Sequence, residues 1–409
     1  MTDFGLDDFS EGRDMHGNPL SSQESKSPWS WIEISRPALL NNARLLQQCA
    51  PRALFAPVLK SNAYGHGLHE TYQVLSTLSL PWICVNYLYE ARMLRHWGYQ
   101  GRLLVVGPAS SLGWKEAHDI QADIVVGNAQ VLNSWCQQSL PVGIHLKFDT
   151  GMGRQGFFPQ ESGALLATIK ALGRESWLKG ICTHFANVED VTDQSYALKQ
   201  VQRFNAASEV FRQAGLRIVY HCASSASTLI MEQSHYDLVR VGISLYGLWP
   251  SSLTRVSYLQ LHQNLIDLTP TLSWYTRIAA LKKIPKGEFI GYGCTFRAVR
   301  DMLIAVLPVG YFEGYPRIAG ENPCYVMIAG HRCPIVGRIC MNMMMVDVSH
   351  VEASGGVPLG EGTRVTLIGK DGSDGIGAQD LASWAKTIHY EVLTRLSPEI
   401  PRVITGEPS

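Results

Sequence analysis

From Trp29 onward, short apolar runs alternate with longer amphipathic stretches, whereas residues 1–28 are polar, rich in Ser, Asp and Gly, and without periodicity. That first stretch reads as a tail, disordered or draped over the surface. Folded structure then opens on an amphipathic helix. Ser35 offers an N-cap, Pro37 suits a first turn, and Leu40, Ala43 and Leu46 recur at helical spacing. Eight apolar runs suited to buried strands follow, at 53–58, 82–86, 102–106, 123–126, 143–149, 178–185, 217–222 and 238–243. Each gap is long enough for a crossover helix, 87–97 and 194–214 among them. Eight consecutive strand–helix units predict an α/β fold, a (β/α)8 barrel of the TIM type over 29–266, with a doubly wound open sheet as the alternative. After residue 266 the texture changes to short β-like runs (274–284, 303–308, 325–329, 343–348, 364–368) between Gly- and Pro-containing turns. Residues 267–409 therefore read as a C-terminal all-β domain, with one helix at 378–388 after the turn GKDGSDGIG.

Composition narrows the partners. A chain of 409 residues with 46% hydrophobic content can bury a sizeable core. Lys+Arg and Asp+Glu balance at 35 each without a basic run, so the chain reads as a binder of a small molecule rather than of nucleic acid or an anionic membrane. Nine cysteines with no C-x-x-C pair and no His-Cys cluster read as reduced thiols and give no metal site. The acidic start and the lack of any apolar run approaching ~18 residues lead to the expectation of a cytoplasmic protein.

In a barrel, chemistry belongs to polar residues where strands end on one face. Lys60 ends strand one in PVLKSNAYGHG, Lys147, Asp149 and Arg154 occupy and follow strand five in HLKFDTGMGRQGF, and His184 ends strand six in GICTHFAN. Ser224 and Ser225 follow strand seven, and Arg240, Gly242 and Ile243 lie on or after strand eight in LVRVGISLYG. Singly, each has a bland reading: a solvated lysine, a core histidine, arginines in structural ion pairs. Together they say more. A buried lysine has a lowered pKa and can bond to a carbonyl, whereas an exposed one near ~10.4 stays protonated. Ser225, Gly242 and Ile243 stand where barrels hold phosphate, so a phosphorylated carbonyl cofactor, pyridoxal phosphate, is expected beside Lys60.

The motifs KSNAYGHG, HLKFDTGMGRQG, GYG at 291–293 and VGRICMNMMMVDV at 336–348 resemble those of the alanine racemase family, fold type III pyridoxal-phosphate enzymes, from about Trp31 to Pro401. The resemblance implies a two-base racemase that interconverts L- and D-alanine and supplies D-alanine for peptidoglycan. Lys60 corresponds to the cofactor lysine and one catalytic base, and Tyr292, from the partner chain of a head-to-tail homodimer, to the opposite base. Tyr64, Ser225, Gly242, Ile243 and Tyr390 resemble the phosphate cradle, and Arg240 the arginine that bonds the pyridine nitrogen. His184 resembles the histidine stacked near the ring and coupled to Arg240 and Tyr292. Arg154 and the backbone at Met341 resemble the contacts to the substrate carboxylate, and Lys147 a lysine carbamylated in many members.

The departures from that pattern are Asn342 where Asp is usual, Ser224 for Asn, and His389 for Asn. The first is expected to remove a negative charge near the carboxylate pocket, which bears on substrate preference and rate more than on reaction type. Tyr390 at its position favours a small substrate, with leakage to serine. The competing readings are a broad-spectrum amino-acid racemase, a type III decarboxylase, a non-catalytic cofactor-binding protein and a paralogue without turnover.

Overall fold

Each of the eight apolar runs forms a parallel strand: β1 Leu54–Pro57, β2 Trp82–Val85, β3 Arg102–Val105, β4 Ala122–Val126, β5 Ile144–Lys147, β6 Leu178–Cys182, β7 Val219–His221 and β8 Leu238–Val241. In this computed structural model, residues 28–108, 110, 112–189, 192–317, 324–353 and 358–406 are described. The predicted tail over 1–28 lies outside them but for its last residue. Strands β2 to β7 pair in sequential order. β1 pairs with β8 from Leu54 against Leu238 to Pro57 against Val241. The ring is completed by a bridge from Val58 to Cys84 on one side and by Asp237 N to Tyr220 O (3.0 Å) and Arg240 N to Ala223 O (3.1 Å) on the other. It is a closed barrel, not an open sheet.

Strand residues alternate between two buried environments, as the period of two requires. Ile83, Val85, Leu103, Val105, Ile124, Val126, Ile144, Leu146, Val239 and Val241 join the layer under the helices. Trp82, Cys84, Leu104, Val125, Cys182 and Leu238 form the interior cluster. By the same alternation His145, Lys147, His221 and Arg240 belong to the interior. Outside, the helix Arg36–Cys49 starts as read, with the Ser35 side chain accepting from Ala38 N at 3.4 Å and Leu39, Leu40, Ala43 and Leu46 buried.

That helix is not the first element. A strand, Ser30–Ser35, precedes it, with Ile32 and Ile34 buried. Two alternations in WIEI are too short a period to separate from the tail. Among the described residues the chain divides into a unit of 33–272, 393–395 and 404–406, and a second of 28–32, 273–392 and 396–403.

In the second unit the strand Ser30–Ser35 lies between Leu272–Arg277 and Arg402–Thr405, in a sheet that continues through Arg364–Asp371, Tyr325–Ile328 and His331–Pro334. A separate antiparallel sheet holds Ala280–Ile284, Met302–Leu307 and Met344–Asp347. The single run expected at 274–284 is therefore two strands in two sheets. The helix expected at 378–388 ends at Trp384, because Lys386 turns to φ +52°, and His389–Thr394 forms a new helix.

The Lys60 segment is the least ordinary piece of backbone. Ser61, Asn62, Ala63 and Tyr64 all take positive φ, at 57°, 53°, 53° and 54°. This is one left-handed turn built without glycine, at a cost of roughly 1–2 kcal/mol per residue. Hydrogen bonds fix it: Ser61 N donates to Glu90 Oε1 at 2.7 Å, and Leu68 N to Asn62 Oδ1 at 2.8 Å. Gly65 continues at φ +84°, and a Cβ there would lie 1.9 Å from the backbone oxygen of Leu393. Gly65→Ala should therefore lower the unfolding free energy, read from the urea midpoint, by more than the ~1–2 kcal/mol of a left-handed alanine alone. An unchanged midpoint would show that the turn relaxes freely.

Candidate active site

Parallel strands deliver their C-terminal ends to one face, so Lys60 just beyond β1, Lys147 at the end of β5, His184 after β6 and Arg240 in β8 gather there. Their mutual influence confirms the proximity. The Lys60 ammonium is pushed below the ordinary lysine value by burial and by the Arg154 and Arg240 cations, with Glu90 opposing. Burial also lowers Lys147, against the nearby Cys182 thiol and in concert with Arg154 and Arg240. Its Nζ donates to Gln155 Oε1 at 3.5 Å. His184 is driven down to about 3 by burial, then Arg240, Arg154, Lys147 and Lys60, and so is neutral at physiological pH.

Arg240 is held on three sides. Nη2 donates to the carbonyls of Thr183 (3.0 Å) and Cys222 (3.2 Å), and Nη1 to Nδ1 of His221. His221 Nε2 in turn meets His145 Nδ1 at 2.8 Å, both rings fully buried. The imidazole bonded to Arg240 is thus His221, whereas the sequence reading coupled Arg240 to His184. His145 and His221 were missed, although the alternation in IHLK and VYH turns both inward.

At the β7–β8 side, Ser225 opens the helix Ser225–Ile230, and its Oγ accepts from the amides of Gly242 (3.0 Å) and Ser244 (3.3 Å). Ile243 begins the short helical turn Ile243–Tyr246. Tyr64 packs here, its ring 5.2 Å from that of Tyr246, and a Cβ on Gly242 would fall 2.4 Å from Tyr64 Oη. Burial raises the Tyr64 phenol, which keeps it a neutral donor. Ser244 Oγ is buried without a hydrogen-bond partner. Two amides, three hydroxyls and a required glycine suit a phosphate group. Ser224, one of the departures, stands at the N-cap, its amide donating to Ser227 Oγ at 2.7 Å.

After β5 the loop wraps around Asp149. Burial alone would raise this carboxyl, but the amides of Gly151, Gly153, Met152 and Arg154 outweigh it and hold the group below the usual range. The Arg154 side chain emerges from that loop, exposed.

Tyr292, Met341 and Tyr390 belong to the second unit. Tyr292 is 70% exposed and sits between Gly291 and Gly293, both at positive φ. A Cβ on Gly293 would lie 2.9 Å from Arg338 Nη1. Tyr390 lies in the helix His389–Thr394, its ring 4.8 Å from that of His389. Met341 is exposed, and its carbonyl accepts from Phe312 N at 2.9 Å. Next to it, Asn342 Nδ2 donates to Glu313 Oε1 at 2.7 Å, while Glu313 Oε2 accepts from Gly310 N at 2.7 Å. Asn342 itself is neutral, as the sequence reading has it, and it is bonded to a neighbouring carboxylate, that of Glu313.

Family models for the alanine racemase N-terminal domain and C-terminal domain match residues 34–250 and 271–404. An alanine racemase of Leptospira interrogans is 38% identical over 402 residues, covering 96% of this chain and 99% of its own. One from Listeria innocua is 34% identical, covering 91% and 97%. Among solved structures, alanine racemase from Streptomyces lavendulae superposes with a TM-score of 0.83 at 29% identity, covering 94% of this chain and 99% of that one. That from Bacillus anthracis, with bound L-Ala-P, gives 0.82 at 29% identity, covering 93% and 96%. Matched over both domains and nearly its whole length, the chain belongs to the alanine racemase family.

Proposed function

We propose that this protein is a pyridoxal-phosphate-dependent alanine racemase, acting in the cytoplasm as a head-to-tail homodimer and supplying D-alanine for peptidoglycan. The observation that carries the reading is Lys60, partly desolvated at a strand end in the same barrel as the Ser225, Gly242 and Ser244 cradle and the fixed Arg240. Among the described residues no helix is long and apolar enough to cross a membrane.

Ser225, Gly242, Ile243, Tyr64 and Tyr390 would hold the phosphate, and Lys60 Nζ the carbonyl carbon. The chemistry pyridoxal phosphate supplies when bound is electron withdrawal from the substrate's α-carbon, which makes its proton exchangeable. Lys60 is suited to attachment because its neutral form is populated below the ~10.4 of ordinary lysine. Arg240 would hold the pyridine nitrogen, where its permanent cation would keep a proton off. His184, neutral throughout the working range, would lie near the ring without adding charge. Arg154 and the backbone at Met341 take the substrate carboxylate. Lys147, buried with a lowered pKa, is the amine to be carbamylated, which turns a cation into an anion that orients Arg154.

Racemisation needs a proton carrier on each face of the α-carbon. Lys60 Nζ serves one face and Tyr292 Oη of the partner chain the other.

The purified protein should be yellow, and borohydride should fix the cofactor irreversibly to Lys60. It should convert L-alanine to the racemate and L-serine more slowly, as enantiomer separation would show. A colourless protein that stays inactive with added pyridoxal phosphate would end the racemase reading.

Lys60→Ala and Tyr292→Phe homodimers should each be nearly inactive. Unfolded and refolded together in equal amounts, about half the dimers are mixed, each with one intact site, so activity should return to roughly a quarter of wild type. If the mixture stays dead despite proven exchange, both bases act in one chain's site and the shared-site model fails.

A further inference from the structure

We infer that Asp123 and His145 are positioning residues for Arg240: from the N-terminal end of the barrel they anchor the far end of a buried hydrogen-bond chain, Arg240 to His221 to His145, that holds the guanidinium in place. As a statement about catalysis this rests on the proposed function, which sets Arg240 against the cofactor ring.

The direction follows from donor and acceptor counting. A guanidinium only donates. His221 Nδ1, its partner, must therefore be the bare nitrogen, which leaves the proton of a neutral ring on Nε2. That N–H points to His145 Nδ1 at 2.8 Å, so this nitrogen is bare too and the His145 proton sits on Nε2. His145 Nε2 is buried without a hydrogen-bond partner and lies 3.7 Å from Asp123 Oδ2. A permanent cation ends one side of the chain and a carboxylate the other, with both ring dipoles aligned between them. Protonating His221 on Nδ1 would set an N–H against Arg240. The intact chain therefore keeps the His221 ring neutral. Burial, Arg240 and His145 hold His221 well below the ordinary histidine value, in agreement.

The packing is specific to this arrangement. A Cβ on Gly180 would lie 2.4 Å from His145 Nδ1, in the place where His221 must approach. A Cβ on Gly143 would lie 2.0 Å from Asp123 Oδ1. Gly180 within β6, where glycine otherwise weakens pairing, and Gly143 just before β5 thus clear room for these two side chains. Trp82 meets His145 edge-on at 5.6 Å, and Arg102 covers the Trp82 ring at 5.2 Å. The other charges near Asp123 are Arg95, which feels its field, and Lys179, whose Cγ shares the space beside Gly143. Along β5 the alternation puts His145 two residues before Lys147, so the chain runs from the active-site end toward the opposite mouth, where Asp123 sits second in β4.

The test uses full-length protein with ¹⁵N-labelled histidine, first without and then with pyridoxal phosphate. His221 should be a neutral Nε2–H tautomer at neutral pH, with His145 Nδ1 accepting its proton. Asp123→Asn should move both ring nitrogen shifts and alter the absorption of the bound cofactor. It should also lower alanine kcat roughly threefold to tenfold with KM within about twofold. His145→Gln should reproduce the change at His221 should the first variant fail to fold. A wild-type His221 protonated on Nδ1 overturns the proposal. So does an Asp123→Asn protein that melts earlier but keeps the histidine shifts, cofactor absorption and kcat. If the protein takes up no pyridoxal phosphate, the racemase reading fails, while the tautomers of the cofactor-free protein still decide the direction of the chain.

Discussion

Pairing of Leu54–Pro57 with Leu238–Val241 is the contact on which the site depends, because it closes the ring between the first strand and the last. Closure sets Lys60, just past one strand, beside Arg240 within the other. The register leaves no freedom: with a side-chain period of two, a slip of one residue would send Arg240 into the layer under the helices and bring Val239 or Val241 inside. The strand ends seen in the sequence as separate polar positions become a single site only through this pairing. The His145–His221 contact depends on the same closed ring, since it crosses from β5 to β7.

Gathering cations in a desolvated place carries a cost. Burial is the largest influence on Lys60, Lys147 and His184, and each cation depresses the others. The structure meets this cost with neutral acceptors rather than matched carboxylates: the carbonyls of Thr183 and Cys222 and the His221 ring for Arg240, and Gln155 for Lys147. The exception is Glu90. Fully buried, its carboxylate accepts Ser61 N through one oxygen and Asn86 N and Tyr87 N through the other. One side chain thus ties the left-handed turn behind Lys60 to the start of the helix Leu88–His96. Four left-handed residues cost roughly 4–8 kcal/mol together, and of the Glu90 bonds only that from Ser61 N, worth about 1.5–3 kcal/mol, reaches the turn and offsets part of it. The turn is the place where strain stored in the backbone fixes the direction in which the lysine leaves its strand.

What could be read from the sequence was what repeats. Eight apolar runs with helix-length gaps gave the barrel strands within one or two residues at most ends, and strand-end polar residues gave Lys60, Lys147, His184 and Arg240. What escaped had no period or depended on closure. The strand Ser30–Ser35 has two alternations, so its pairing with strands more than 240 residues away left no local mark. The break at Lys386 is a backbone choice made by a lysine rather than by a glycine. Nothing in KSNAYGHG foretold that four side-chain-bearing residues before its first glycine would make a left-handed turn. The hydrogen bond from Arg240 to His221 was not legible, because His221 reaches Arg240 from the neighbouring strand at a depth that only the finished ring defines.

The departures from the family pattern follow the same logic of local compensation. An aspartate at position 342 would set two carboxylates 2.7 Å apart, since Glu313 Oε1 already occupies that distance and its other oxygen is committed to Gly310 N. Asparagine donates instead, so the pair carries one negative charge, ordered at both ends. At the N-cap of the helix that presents Ser225, the backbone N–H of Ser224 donates to Ser227 Oγ, a bond that does not depend on the side chain at 224. Both changes leave the hydrogen bonding around the functional positions satisfied, which is what separates a residue replaced together with its surroundings from one lost with its function.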